Sequence, residues 1–214
     1  MKTALLFDLD GTLLDTLQDL TDSVNHTLVQ YNCPQRTLEQ IRTFVGNGMR
    51  NLIARALPGL ENDPPVDAVV ADYKAYYAEH CLDKTAPYAG IPEALAQLSD
   101  FPIAIVSNKA DKDVKPLCAH FFPGIYALGE IPDCPRKPAP DMLMRTMAQL
   151  GCDKCIYIGD SEVDVLTAQN TNVPCVSVTW GFRSSEELIA AGATHLCRDP
   201  QDLPDILRRI CKEM

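Results

Sequence analysis

Apolar side chains follow two different rhythms along the chain. Over residues 3–9, 102–106, 125–128, 155–158 and 175–179, and more weakly over 194–197, they form short continuous runs. A strand with one wet face alternates in polarity, so continuous runs of this length point to strands buried on both faces. Between most of them lie segments with helical spacing at 91–98, 141–150, 163–170 and 186–191, and Gly151, Asn172 and Gly192 supply helix stops. The expected fold class is α/β, with a doubly wound parallel sheet of Rossmann type.

Residues 15–84 have the other rhythm. Leu17, Leu20, Val24 and Leu28 recur every three or four positions, as do Phe44, Leu52, Ile53, Ala56 and Leu57, and Val66, Val69, Val70, Tyr73 and Tyr77. This spacing predicts helices and no strand. Asp15 or Thr16 is placed to cap the first helix, and Pro58-Gly59 breaks the second. The chain therefore divides into an α/β core, 1–14 plus 85–214, and an inserted all-α domain, 15–84. The return segment, Ala86-Pro87-Tyr88-Ala89-Gly90-Ile91-Pro92, has the composition of a hinge.

Composition narrows the class of partner. With 214 residues, 46% of them apolar, the chain can bury one sizeable core and a small second lobe. Its 29 acids and 19 bases leave a net charge of −10, which opposes a broad grip on nucleic acid or anionic lipid. No apolar stretch approaches the ~20 residues of a membrane helix. Nine scattered cysteines, an odd number, suit a reducing compartment, so a cytoplasmic location and a small-molecule partner are expected. Cys152 and Cys155 resemble half of a zinc or redox site, but His26, His80, His120 and His195 form no second half.

Ligands of open α/β sheets collect at the carboxyl ends of the strands. There the first predicted strand delivers Asp8, Asp10, Gly11 and Thr12, the second Ser107, Asn108 and Lys109, and the fourth Gly159, Asp160, Ser161 and Asp164. Asp8 and Asp10, two apart in extended chain, share a face. With Asp160 from another strand they offer hard oxygen ligands suited to Mg²⁺, which keeps some waters and bridges to a phosphate.

These segments carry a resemblance. Phe7-Asp8-Leu9-Asp10-Gly11-Thr12-Leu13-Leu14-Asp15-Thr16, Val106-Ser107-Asn108-Lys109, Arg136-Lys137-Pro138-Ala139-Pro140-Asp141 and Ile158-Gly159-Asp160-Ser161-Glu162-Val163-Asp164 resemble, in order, the four motifs of the haloacid dehalogenase-like phosphohydrolases. The resemblance implies a Mg²⁺-dependent phosphatase in which Asp8 is the nucleophile and Asp10 the general acid and base. It places the metal on Asp8, the Asp10 carbonyl and Asp160, with Asp164 in support. Gly11, Thr12, Ser107, Asn108 and Lys137 would bind the phosphate, Lys137 neutralising its charge. Lys109 is either a second substrate cation or a solvated loop lysine.

A helical insert after the first motif is similar to the cap of the phosphoglycolate-phosphatase-like group, which implies a small phosphorylated metabolite, foremost 2-phosphoglycolate, and a monomer or homodimer. The segment Phe44-Val45-Gly46-Asn47-Gly48-Met49-Arg50 resembles the group's cap loop, and Arg50 is either a partner for a substrate carboxylate or a solvated helix residue. The alternatives are a pyrophosphatase, a sugar-phosphate phosphatase or a β-phosphoglucomutase-like enzyme. More distant are a phospho-receiver and a non-catalytic binding protein.

Overall fold

A computed structural model describes residues 2–59 and 63–214. The chain opens with β1 (Thr3–Phe7) and β2 (Leu14–Asp15), then runs through α1 (Leu17–Gln30), α2 (Leu38–Phe44), α3 (Met49–Ala56) and α4 (Val66–His80). It returns through β3 (Ala86–Pro87) and continues as α5 (Ile91–Gln97), β4 (Ile103–Ala110), α6 (Asp111–Phe121), β5 (Tyr126–Glu130), α7 (Asp141–Leu150) and β6 (Lys154–Gly159). The remainder is α8 (Glu162–Thr171), β7 (Cys175–Val178), α9 (Ser185–Ala190), β8 (His195–Cys197) and α10 (Leu203–Glu213).

Six strands form one parallel sheet in the order β5-β4-β1-β6-β7-β8. Continuous apolarity is explained by the two layers it feeds. Leu5 and Phe7 point into one core, shared with Ile105, Ile156, Ile158 and the inserted helices, while Ala4 and Leu6 join Val106, Tyr157, Met142 and Val165 on the other face. From β1 the chain proceeds outward through β4 to β5, then crosses back to β6 on the other side of β1, so the carboxyl ends of β4, β1 and β6 lie together at the switch in strand order.

Three features differ from the sequence expectation. β2 and β3 pair antiparallel, Leu14 with Pro87 and Asp15 with Ala86, where the helical insert leaves and rejoins the core. Two residues per strand are too few to leave a period. β4 extends to Ala110, with a register shift against β5 between Val106 and Ala110, so Ser107, Asn108 and Lys109 lie in an irregular strand end and not beyond it. Helix α6 was not legible because Asp111-Lys112-Asp113 and Pro116 interrupt its apolar face, which is confined to Val114, Leu117 and Cys118. At the start of α1 the Leu17 amide donates to the Asp15 carboxylate (3.3 Å), while the buried Thr16 hydroxyl has no partner. Among the described residues no helix is long and apolar enough to cross a membrane.

Candidate active site

The Asp8 amide donates to the Ile158 carbonyl (2.8 Å), fixing the residue just beyond β1 against β6. The chain then turns sharply, with the Leu13 and Leu14 amides both donating to the Leu9 carbonyl. Gly11 sits in this turn at φ 82°, and a Cβ there would fall 2.3 Å from Asp160 Oδ2. Only glycine combines that backbone with such an approach. The Thr12 hydroxyl donates to Asp160 Oδ1 (2.9 Å), and the Phe182 amide donates to Oδ2 (2.8 Å). Gly11 approaches Asp160 closely and Thr12 donates to it, so both residues, just past the end of the first strand, brace this carboxylate.

Lys137, only 2% exposed, reaches the same point from the loop before α7. Its Nζ donates to Asp164 Oδ1 (2.8 Å) and to the Tyr157 hydroxyl (2.7 Å), and lies 3.0 Å from Asp8 Oδ1. Tyr157 donates in turn to Asp164 Oδ1 (2.8 Å). The second oxygen of Asp164 accepts from the Ser161 amide and hydroxyl (3.1 and 2.6 Å), which also caps α8. Sequence reading missed Tyr157. The available signal was a hydroxyl in the middle of an otherwise apolar strand, which in a buried setting requires a partner.

Oxygens of Asp8, Asp160 and Asp164 all lie within 4.8 Å of one another. Burial pushes Asp8 well above the usual carboxylate range, and the attraction of Lys137 only partly offsets it. Burial and the neighbouring Asp164 raise Asp160 to about 7. Burial also opposes ionisation of Asp164, but Lys137, Ser161 and Tyr157 outweigh it and hold this group below its ordinary value. Three buried carboxylates thus share one ammonium. That excess of negative charge, carried on hard oxygens, fits a divalent cation.

Asp10 faces a different partner. Lys109 Nζ lies 2.9 Å from each of its oxygens, with only 6% of the lysine side chain exposed. Lys109 is therefore not a solvated loop residue. Arg50 is the reverse: its side chain is 63% exposed, donates to Asp67 (2.9 Å) and does not line the cavity, because its position on α3 turns it outward. Met49 and Leu52 of the same helix face inward instead. The inserted helices roof the cavity over Asp8, Asp10, Ser107 and Asn108 with Val45, Gly46, Gly48, Tyr73 and Tyr77. The Asn108 amide group ties this roof to the base, donating to the carbonyls of Gly46 (3.2 Å) and Lys137 (2.9 Å). Cys152 and Cys155 are buried free thiols, both pushed up by burial, Cys155 to about 12, so neither is a ready thiolate.

A second tie joins insert and core reciprocally. Arg42 of α2 donates to the carbonyls of Gly181 (2.7 Å) and Phe182 (2.9 Å). Arg183, from the same core loop, donates back to the carbonyls of Arg42 (3.0 Å) and Val45 (2.9 Å) and pairs with Glu162 (2.8 Å). The loop so held is the one whose Phe182 amide grips Asp160.

The sequence and the fold both have relatives. A phosphoglycolate phosphatase of Rhodobacter capsulatus is 35% identical over 195 residues, spanning 86% of this chain and 88% of that protein. An N-acetylmuramic acid 6-phosphate phosphatase of Pseudomonas aeruginosa is 29% identical over 96% of this chain and 95% of its own. A crystal structure from Lactobacillus delbrueckii subsp. bulgaricus, of a provisionally named phosphoglycolate phosphatase, superposes with a TM-score of 0.86 at 37% identity, covering 96% of this chain and 98% of that one. Residues 5–178 match the family model described as haloacid dehalogenase-like hydrolase, a span that contains Asp8, Asp10, Lys137 and Asp160, and the chain belongs to that family.

Proposed function

We propose that this phosphatase hydrolyses a small phosphate monoester, foremost 2-phosphoglycolate, through an aspartyl-phosphate formed on Asp8. The observation that carries the reading is the position of Asp8: at the base of a roofed cavity, with Lys137 Nζ 3.0 Å from one oxygen and Asp10 two residues along. Asp8, Asp160 and the Asp10 main-chain carbonyl would hold Mg²⁺, with Asp164 behind them. When bound, the metal offsets the repulsion between the Asp8 carboxylate and an anionic phosphoryl group.

The chain's own groups supply the rest. An Asp8 oxygen attacks phosphorus as the bond to the leaving oxygen breaks, and Asp10 gives its proton to that oxygen. In the second half Asp10 takes a proton from water, which attacks the same phosphorus, releases phosphate and restores the Asp8 carboxylate. The Ser107 hydroxyl and the Asn108 main-chain N–H donate to the phosphoryl oxygens, and Lys137 balances their charge. Residues 15–84 act as a cap that excludes water from this exchange.

The apolar roof, with Val45, Leu52, Tyr73 and Tyr77 over the carboxylates, supports a small leaving group. A kinetic screen over 2-phosphoglycolate, pyrophosphate and sugar phosphates tests this. The expected result is the highest kcat/KM for phosphoglycolate, abolished by Asp8→Asn and dependent on added Mg²⁺. A preference for a sugar phosphate rejects the substrate, and turnover retained by Asp8→Asn rejects the nucleophile.

A further inference from the structure

The second buried cation of the site holds the one carboxylate that the reaction needs free. Both oxygens of Asp10 are taken by Lys109 Nζ, at 2.9 Å each, in a pair almost closed to solvent. A carboxylate with both oxygens clamped this way is held away from other partners, whereas Asp10 must reach the leaving oxygen. The pair therefore has to open during turnover. Simply removing Asp10 would strand a buried ammonium, which is strongly unfavourable. Among the described residues the only other buried carboxylate acting on Lys109 is Asp113, which makes no direct ion pair with it, so opening is favoured by a replacement anion at Lys109.

We propose that Lys109 receives a second anionic group on the leaving portion of the substrate and, by exchanging Asp10 for it, releases Asp10 to work as the general acid. This deepens the phosphatase reading above and rests on it. The surroundings fit an anion that arrives with the substrate. Lys109 lines the same cavity as Asp8, and its Nζ lies 4.9 Å from the ring centroid of Tyr77, a roof residue of α4. The hydroxyl of the same Tyr77 is buried without any hydrogen-bond partner, so the ring facing Lys109 carries an unfilled donor. In a 2-phospho carboxylate the carboxyl carbon is two bonds from the leaving oxygen. The position that Asp10 vacates and the one it must reach are therefore spanned by the substrate itself. Lys109 is both a substrate-binding and a positioning residue here, so the second charge is felt in kcat as well as in KM.

A substrate in two pieces separates these effects. Methyl phosphate is phosphoglycolate without its carboxylate, and formate supplies the missing anion at constant ionic strength. In the wild-type enzyme formate is expected to raise kcat for methyl phosphate about tenfold. Lys109→Met should abolish this response, lower kcat for phosphoglycolate about 100-fold, and shrink its advantage over methyl phosphate to about twofold. Lys109→Arg should keep part of the formate response. Absence of formate activation in the wild type overturns the proposal whether or not the variants fold, as does a Lys109→Met enzyme that keeps its preference for phosphoglycolate. Formate activation in an enzyme that rejects phosphoglycolate would uphold the exchange at Lys109 and reject only that substrate.

Discussion

At Tyr157 one hydroxyl accepts from Lys137 and donates to Asp164, inside a strand whose neighbours Cys155, Ile156 and Ile158 are wholly buried apolar residues. Its burial pushes the phenol well above its ordinary range, so it stays a neutral donor at any working pH. Tyr157→Phe keeps the ring packing and removes only the link. It should cost about 1.5–3 kcal/mol of stability, the net value of hydrogen bonds to charged partners, and reduce kcat about tenfold by loosening Lys137. Thermal unfolding beside steady-state kinetics checks both, and unchanged kcat would show that Asp164 alone positions the lysine. The same neighbourhood shows what the sequence made legible. Asp8, Asp10, Lys137 and Asp160 were visible because their chemistry needs those residue types at fixed motif positions. Tyr157 and the partner of Lys109 were not, because each is decided by which side chain a different strand brings alongside. Arg50, left open between a substrate partner and a solvated helix residue, is placed by helical phase, and not by residue type, beside Asp67.

Between elements, the informative contact is the arginine exchange across insert and core. Arg42 and Arg183 each donate to main-chain carbonyls on the opposite side, so the contact registers backbone against backbone and does not depend on finding a carboxylate. Because Phe182 accepts from Arg42 through its carbonyl and donates through its amide to Asp160, the position of the insert is communicated to the Asp160 carboxylate through one residue. Arg42→Ala removes two of these bonds and should lower kcat/KM about tenfold. It should also speed amide hydrogen exchange through α2 and the loop after it, while the central strands β1 and β6 keep their protection. Equal exchange in both proteins would mean that packing alone seats the insert. The helices of the insert were readable from periodicity, since Val24, Leu28, Val69 and Tyr73 repeat at helical spacing and are buried. The clasp was not, because carbonyl acceptors leave no signature in side-chain sequence. The β2–β3 ribbon was too short to leave one.

For the whole molecule, an excess of acid over base becomes a linkage between folding, pH and metal. Asp160 is held at about 7 by burial and by Asp164, against about 3.9 in an unfolded chain. Between those values the folded protein binds a proton at this group and the unfolded chain does not. The stability of the metal-free protein should therefore fall as pH rises from about 4 to about 7, by on the order of a few kcal/mol. Asp8 is raised by burial as well and acts in the same direction. Groups held low by their partners, such as Asp100 beside Arg208 and Glu187 at the cap of α9, act with the opposite sign, but only as pH drops toward and below the ordinary carboxylate range. A divalent cation selects the ionised carboxylates, so added magnesium should raise Tm strongly above pH 7 and hardly at all near pH 5. Asp160→Asn isolates the group, since it removes the titration without adding a charge. In that variant the fall of the metal-free Tm between pH 5 and 7 should be smaller than in the wild type, the remainder coming from Asp8, and the magnesium response at pH 7.5 should shrink. A wild-type Tm that climbs between pH 5 and 7 in the presence of a chelator would show that the buried carboxylates are not in net electrostatic conflict, and would remove the physical basis for assigning them to a metal.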